Sequence, residues 1–261
     1  MPTAAAPAEN GSAAWFESPL GRYVLEREQA HFDRIVADVF GFNALQLGLA
    51  RIDFLRASRM PFTCRVGTDG PVGLTADFHD LPIATGSIDL VLLPHVLEFS
   101  RDPHQILREV VRVLMPEGQL LICGFNPWSP WGARRVLRKP QAGYPWCGRF
   151  INLPRIKDWL SLLSFDVTGG KMACYAPPLE QEKWLRRFEF MEAAGDRWWF
   201  GGGGVYFLQA IKRVRGMQVI LPKWTDRVAA KEALAPVPRR IHGGRVQVLR
   251  RRLIVLPGGR K

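Results

Sequence analysis

Between Gly86-Ser87 and Pro94 the chain runs Ile88-Asp89-Leu90-Val91-Leu92-Leu93. A strongly apolar run of this length, bounded by turn residues, reads as a strand buried on both faces, and such strands sit in the middle of parallel sheets. Asp102-Pro103 then offers a cap and a first helical position. Ile106, Leu107, Val110, Val111 and Leu114 follow on one apolar face. Pro116-Glu117-Gly118 turns the chain into another strand, Gln119 to Cys123.

The rest of the chain extends this alternation. Ser18-Pro19 reads as a helix start, with Leu20, Val24, Phe32, Ile35, Val36 and Val39 at helical spacing behind it. Ala44 to Gly48 reads as a buried strand and Leu49 to Arg59 as a helix. Pro61 to Val66 and Val72 to Ala76 are further strand candidates. Later come a helix from Leu153 to Leu163, a strand within Phe165 to Tyr175, a helix from Glu180 to Ala194 and a strand from Val205 to Lys212. The pattern predicts an α/β fold with a doubly wound, mostly parallel sheet. The two late strands suggest an antiparallel element at its far edge.

Charge divides the chain. Of its 36 basic and 24 acidic residues, 14 and 2 lie from Lys212 onward, so the body is neutral and the tail carries the excess of +12. Three segments are expected: a disordered Ala/Pro-rich leader over 1–14, a domain over 15–215, and a basic tail of poor order over 216–261. No signal peptide or membrane-spanning run is visible, which predicts a cytoplasmic protein. The four cysteines, Cys64, Cys123, Cys147 and Cys174, are widely spaced and predict no metal site.

One stretch carries a family likeness. Asp77-Phe78-His79-Asp80-Leu81-Pro82 precedes Ser87-Ile88-Asp89-Leu90-Val91 and His95-Val96-Leu97-Glu98. Leu107, Glu109, Arg112-Val113-Leu114, Pro116 and Gly118-Gln119-Leu120 continue it. These residues resemble the type 11 family of class I S-adenosylmethionine-dependent methyltransferases. The resemblance implies a seven-stranded sheet, S-adenosylmethionine as cofactor and methyl transfer to an acceptor, here a small molecule. It places Asp77 and the amide of Phe78 at adenine, and Leu93, Pro94 and His95 near the methyl group, with His95 a candidate catalytic residue. Leu47, Gly48 and Leu49 take the place of the first cofactor loop. Strand geometry supports the same location, because ligands of open α/β sheets lie beyond the carboxyl ends of the strands. A local turn for Asp77 and a purely structural partner for His95 are the competing readings.

The first loop departs from the family's Gly-x-Gly-x-Gly, since only Gly48 of Gly48-Leu49-Ala50-Arg51-Ile52 is a glycine. Leu49 to Ile52 are expected to crowd the cofactor's methionine portion. Asp69, 21 positions past Gly48, is the sole match to a ribose-binding acid, yet it sits almost against the third strand and reads as a turn residue. Two functions stay open: a working methyltransferase, or an inactive relative that serves as a binding or regulatory module.

The segment 125–152 is rich in Trp, Pro and Arg and reads as an insertion over the sheet. Trp128 and Trp131, with Arg134, Arg135 and Arg138 nearby, are candidate substrate contacts for an aromatic or anionic acceptor; packing as a lid is the alternative. The tail's Arg239-Arg240 and Arg250-Arg251-Arg252 can hold nucleic acid through its phosphates, but no base-reading motif accompanies them.

Overall fold

The computed structural model describes residues 6–68, 73–138, 143–188, 190–199 and 201–213. The basic tail and Asp69 lie outside them. Seven strands form one sheet: β1 (Asn43–Leu47), β2 (Phe62–Gly67), β3 (Leu74–Thr75), β4 (Ile88–Pro94), β5 (Leu114–Phe125), β6 (Phe165–Ala173) and β7 (Val205–Lys212), in the spatial order β3-β2-β1-β4-β5-β7-β6. The first five are parallel, and β7 runs antiparallel to both β5 and β6. The α/β class, the doubly wound sheet and the late antiparallel element are all as the sequence predicts.

Alternation along the central strands divides the core into two faces. Ala44, Leu90, Leu92, Leu121 and Phe207 point to one face, where α1 (Ala6–Phe16) and α2 (Pro19–Val36) pack. Leu45, Leu47, Val91, Leu93, Ile122 and Leu208 point to the other, covered by α3 (Pro103–Val113) and α5 (Leu153–Leu162). The predicted helix starts hold. The Ser18 hydroxyl accepts from Gly21 N–H at 3.0 Å, and the Asp102 carboxylate accepts from Gln105 N–H at 3.1 Å. The remaining helices are α4 (Pro130–Leu137), α6 (Glu182–Arg187) and α7 (Phe190–Trp198), the last two dividing what the sequence suggests is one helix. No helix among the described residues is long and apolar enough to cross a membrane.

Two expectations fail. The leader is not wholly irregular, because α1 begins at Ala6 and packs on α2 through Trp15 and Phe16. The helix expected over Leu49 to Arg59 is absent, and turns alone join β1 to β2. Phe54 and Leu55 of that segment, and Met60 just after it, are buried all the same, each 5% exposed or less. Gln46, fully buried on β1, supplies the hydrogen bonds that a helix would have made internally. Its Nε2 donates to the carbonyls of Gly48 (3.1 Å), Leu49 (3.3 Å) and Ile52 (2.8 Å), and its Oε1 accepts from Phe54 N–H at 3.0 Å. A polar side chain can sit in an apolar core only when it is saturated in this way.

Candidate active site

At the carboxyl end of β1 the backbone reverses through two left-handed residues, Gly48 (φ +79°) and Leu49 (φ +44°). Gly48 is required there, because a Cβ would lie 2.7 Å from Val96 Cγ2. Leu49 is buried in the cluster beneath α2, and Leu47 is buried on the opposite face.

After β3, Asp77 opens a tight turn. Its Oδ1 accepts from His79 N–H at 2.9 Å and pairs with His79 Nδ1 at 2.7 Å. Its side chain stays 42% exposed, while Phe78 is buried and comes within 3.9 Å of the place a Gly48 Cβ would take. The local-turn reading of Asp77 therefore describes the geometry, although the carboxylate remains reachable. The following Leu81-Pro82-Ile83 is pinned to α3. Glu109 accepts from Leu81 N–H at 3.1 Å, and Arg112 donates to the carbonyls of Leu81 and Ile83, both at 2.8 Å. The Leu-x-Glu-x-x-Arg pattern thus holds the Asp77 turn against the sheet through two helix residues on one face.

Hydrogen bonds from the His79 backbone hold the Asp77 carboxyl below its ordinary range, and Arg112 does the same for Glu109. Stability from depressed carboxylates is complete above their unfolded range and is lost as pH falls through their folded values. Urea midpoints measured from about pH 6 down to about pH 3 are expected to fall, and Glu109→Gln to lose part of that slope. An equal slope in the variant would remove Glu109 from the account.

β4 ends at Leu93-Pro94, and His95 follows with φ +52°. Both strand-end residues are buried. His95 is buried as well, so it does not face an open cleft. Its Nε2 lies 2.6 Å from Glu28 Oε1 on α2, its Nδ1 lies 3.1 Å from Glu98 Oε1, and its ring stacks on Phe125 at 4.2 Å. Burial, the largest single effect, would lower the imidazole's pKa; Glu28 together with Cys123 and Tyr144 outweighs it and holds the group well above its ordinary value. Cys123 Sγ lies 3.6 Å from both Glu28 Oε1 and His95 Nε2, and burial pushes its thiol up. Glu28 and Cys123 were missed in the sequence. The available signal was an acid at position 28 in the apolar series Val24, Phe32 and Val36, spaced four apart.

Beyond the ends of β4 and β5 lies an open cavity of about 430 Å³. Trp128 and Trp159 line it with Arg101, Arg149 and Arg155, and none of these arginines has a carboxylate partner among the described residues. Asp102 is also on the wall, where it caps α3. Ser100, another wall residue, meets His79 Nε2 at 3.1 Å, so the cavity adjoins the Asp77 turn. Trp128 is 77% exposed here, as a substrate contact requires. Trp131 is not available for that role. It has no exposed surface, stacks near Phe125 and Trp146, and donates Nε1–H to Ala176 O at 3.1 Å.

Residues 51–122 match the family model described as a methyltransferase domain. The match begins just past Gly48-Leu49-Ala50, so the divergent loop stands outside it. The Escherichia coli K12 protein YafS, itself uncharacterised, is 35% identical over 155 residues, covering 59% of this chain and 65% of its own. The malonyl-[acyl-carrier protein] O-methyltransferase of Methylovorus sp. is 28% identical over 123 residues, covering 47% of this chain and 41% of its own. The chain therefore spans less than two thirds of the length of either relative. Among solved structures, a methyltransferase of Thermotoga maritima described as a possible histamine N-methyltransferase superposes with a TM-score of 0.56. It is 15% identical, over 78% of this chain and 96% of that one. The strand order and the matched segment agree on the fold of that solved methyltransferase, and residues 51–122 are similar to the methyltransferase domain.

Proposed function

We propose that the chain transfers a methyl group from S-adenosylmethionine to a small acceptor carrying an anionic group beside a flat portion. The observation that supports this reading is the hydrogen bond between His79 and Ser100, which joins the Asp77 turn to the arginine-lined cavity. A cofactor held at the turn and an acceptor held in the cavity would be neighbours.

The residues fit an adenosyl group at the strand ends. Gly48 and Leu49 are themselves buried, with the Gly48 N–H donating to Val66 O and both carbonyls accepting from Gln46, and the Leu49 side chain lies in the core. The exposed carboxylate of Asp77 and the amide of Phe78 are the groups to hold the base. The cofactor's sulfonium activates the methyl group when bound, so the protein's share is alignment and exclusion of water. Arg149 and Arg155 would fix the acceptor's anionic end, and Trp128 would cover its flat portion. His95 lies behind Phe125 and Phe150, whose rings stack at 5.1 Å, so it supports the wall rather than taking a proton from the acceptor.

Calorimetry on the full chain provides the test, together with mass spectrometry of the purified protein for bound S-adenosylmethionine or its demethylated product. Saturable binding that weakens about tenfold in Asp77→Ala is expected, equivalent to about 1.4 kcal/mol. No heat at millimolar cofactor and no co-purified nucleoside would overturn the enzyme reading and leave the fold as a binding module.

A further inference from the structure

The group formed by Glu28, His95 and Cys123 has no part in the chemistry above. Sequence separations of 28 to 95 residues hide it from any spacing rule, but α2, the end of β4 and β5 bring it together. One donor atom from each residue lies within 4.8 Å of the others. We propose that these three side chains form a structural zinc site that clamps α2 to the ends of β4 and β5.

Four observations carry this. First, the donors are a carboxylate, an imidazole and a thiol, the set that zinc takes. Second, the spacing is right: tetrahedral zinc at ordinary bond lengths sets sulfur and nitrogen about 3.5 Å apart, and Cys123 Sγ to His95 Nε2 is 3.6 Å. The Glu28 Oε1 to His95 Nε2 distance of 2.6 Å is a hydrogen bond, which would open to about 3.3 Å as both atoms turned to the metal. Third, Glu28 is fully buried and its Oε2 has no hydrogen-bond partner among the described residues. An unpaired carboxylate oxygen in a core is costly, and a cation removes the cost. Fourth, the other imidazole nitrogen is already held. Glu98 Oε1 meets His95 Nδ1 at 3.1 Å and also accepts from Phe125 N–H at 2.7 Å. Metal-bound histidines usually have such a carboxylate behind them.

The charge balances without help. Binding releases two protons to solvent, the Cys123 thiol proton and the His95 Nε2 proton shared with Glu28, and the thiolate with the Glu28 carboxylate neutralises the dication beside an imidazole left neutral with its Nδ1 proton on Glu98. Since the cluster is closed to solvent, the metal is taken up as the chain folds.

Elemental analysis of the full chain, expressed with added zinc and desalted, tests the site. About one zinc per chain is expected in wild type and in Cys174→Ser, and well under half in Cys123→Ser and Glu28→Gln, with folding checked by circular dichroism. Glu98→Ala is expected to weaken zinc about 10- to 100-fold against a chelating dye. Cobalt-loaded wild type provides a reading that needs no variant, through a sulfur-to-cobalt charge-transfer band that appears if Cys123 is a ligand. Wild type without zinc or without that band overturns the site. So does equal zinc loss in Cys174→Ser and Cys123→Ser.

Discussion

Replacing Gln46 with leucine is expected to lower unfolding free energy by about 4 kcal/mol, a loss seen for few single substitutions. Leucine fills much the same space and suits a buried strand, so packing changes little. What changes is the crossover from β1 to β2. The amide of Phe54 and the carbonyls of Gly48 and Ile52 lose their partner together, most of them in the core, while the Leu49 carbonyl keeps the Ile52 N–H. Each buried group left unpaired costs about 1–3 kcal/mol, and relaxation of the turns recovers part of that. Urea unfolding reads the effect as a lower midpoint with an unchanged slope. A loss under about 1 kcal/mol would mean that Phe54, Leu55 and Met60 hold the segment by burial alone.

Gly132→Ala is expected to cost about 3 kcal/mol, with Ser129→Ala costing about 1 kcal/mol beside it. A methyl group at Gly132 would lie 2.0 Å from the carbonyl oxygen of Pro127, which is backbone and cannot rotate away. The Asn126–Ser129 turn must shift, although it is tied down on several sides. Asn126 Nδ2 donates to the carbonyls of Gly201 and Gly203, and Ser129 Oγ donates to Asn126 O. Ser129→Ala removes only that bond and the helix cap on Gly132 N–H. Thermal unfolding of both variants compares the two. Equal losses would show that the turn moves freely and that Gly132 is not its fixed point.

The strands were legible because an apolar run flanked by turn residues has few other fates. Ile88 to Leu93 and Val205 to Lys212 lie where the sequence places them. The segment after β1 was not legible. Leu49, Ile52 and Leu55 repeat at a helical interval, but that interval tells only which residues are buried. Leu49 and Leu55 are buried and Ile52 is half-buried, and the backbone path is decided by Gln46, a contact that spacing cannot reveal. The candidate site divides in the same way. Gly48, Asp77 and His95 are found at strand ends because topology determines those ends. Trp131 looked like Trp128, three residues earlier, yet Trp131 is buried in the first turn of α4 while Trp128 lies before the Ser129 cap and is exposed. Glu28 and Cys123 belong to a cluster that exists only after α2 has crossed the sheet.

The position of β7 has a consequence for how the chain assembles. Among the described residues it is the last strand in sequence, yet it fills the gap between β5 and β6. Until Val205–Lys212 has emerged from the ribosome, β5 keeps an open row of amides and carbonyls along an apolar strand twelve residues long. Lys212 also closes the end of α3, since its Nζ donates to the carbonyls of Val111 and Leu114, both at 2.7 Å. A nascent chain released before that residue would expose a sticky edge in the middle of its own sheet, so the eight residues of β7 decide between completion and aggregation.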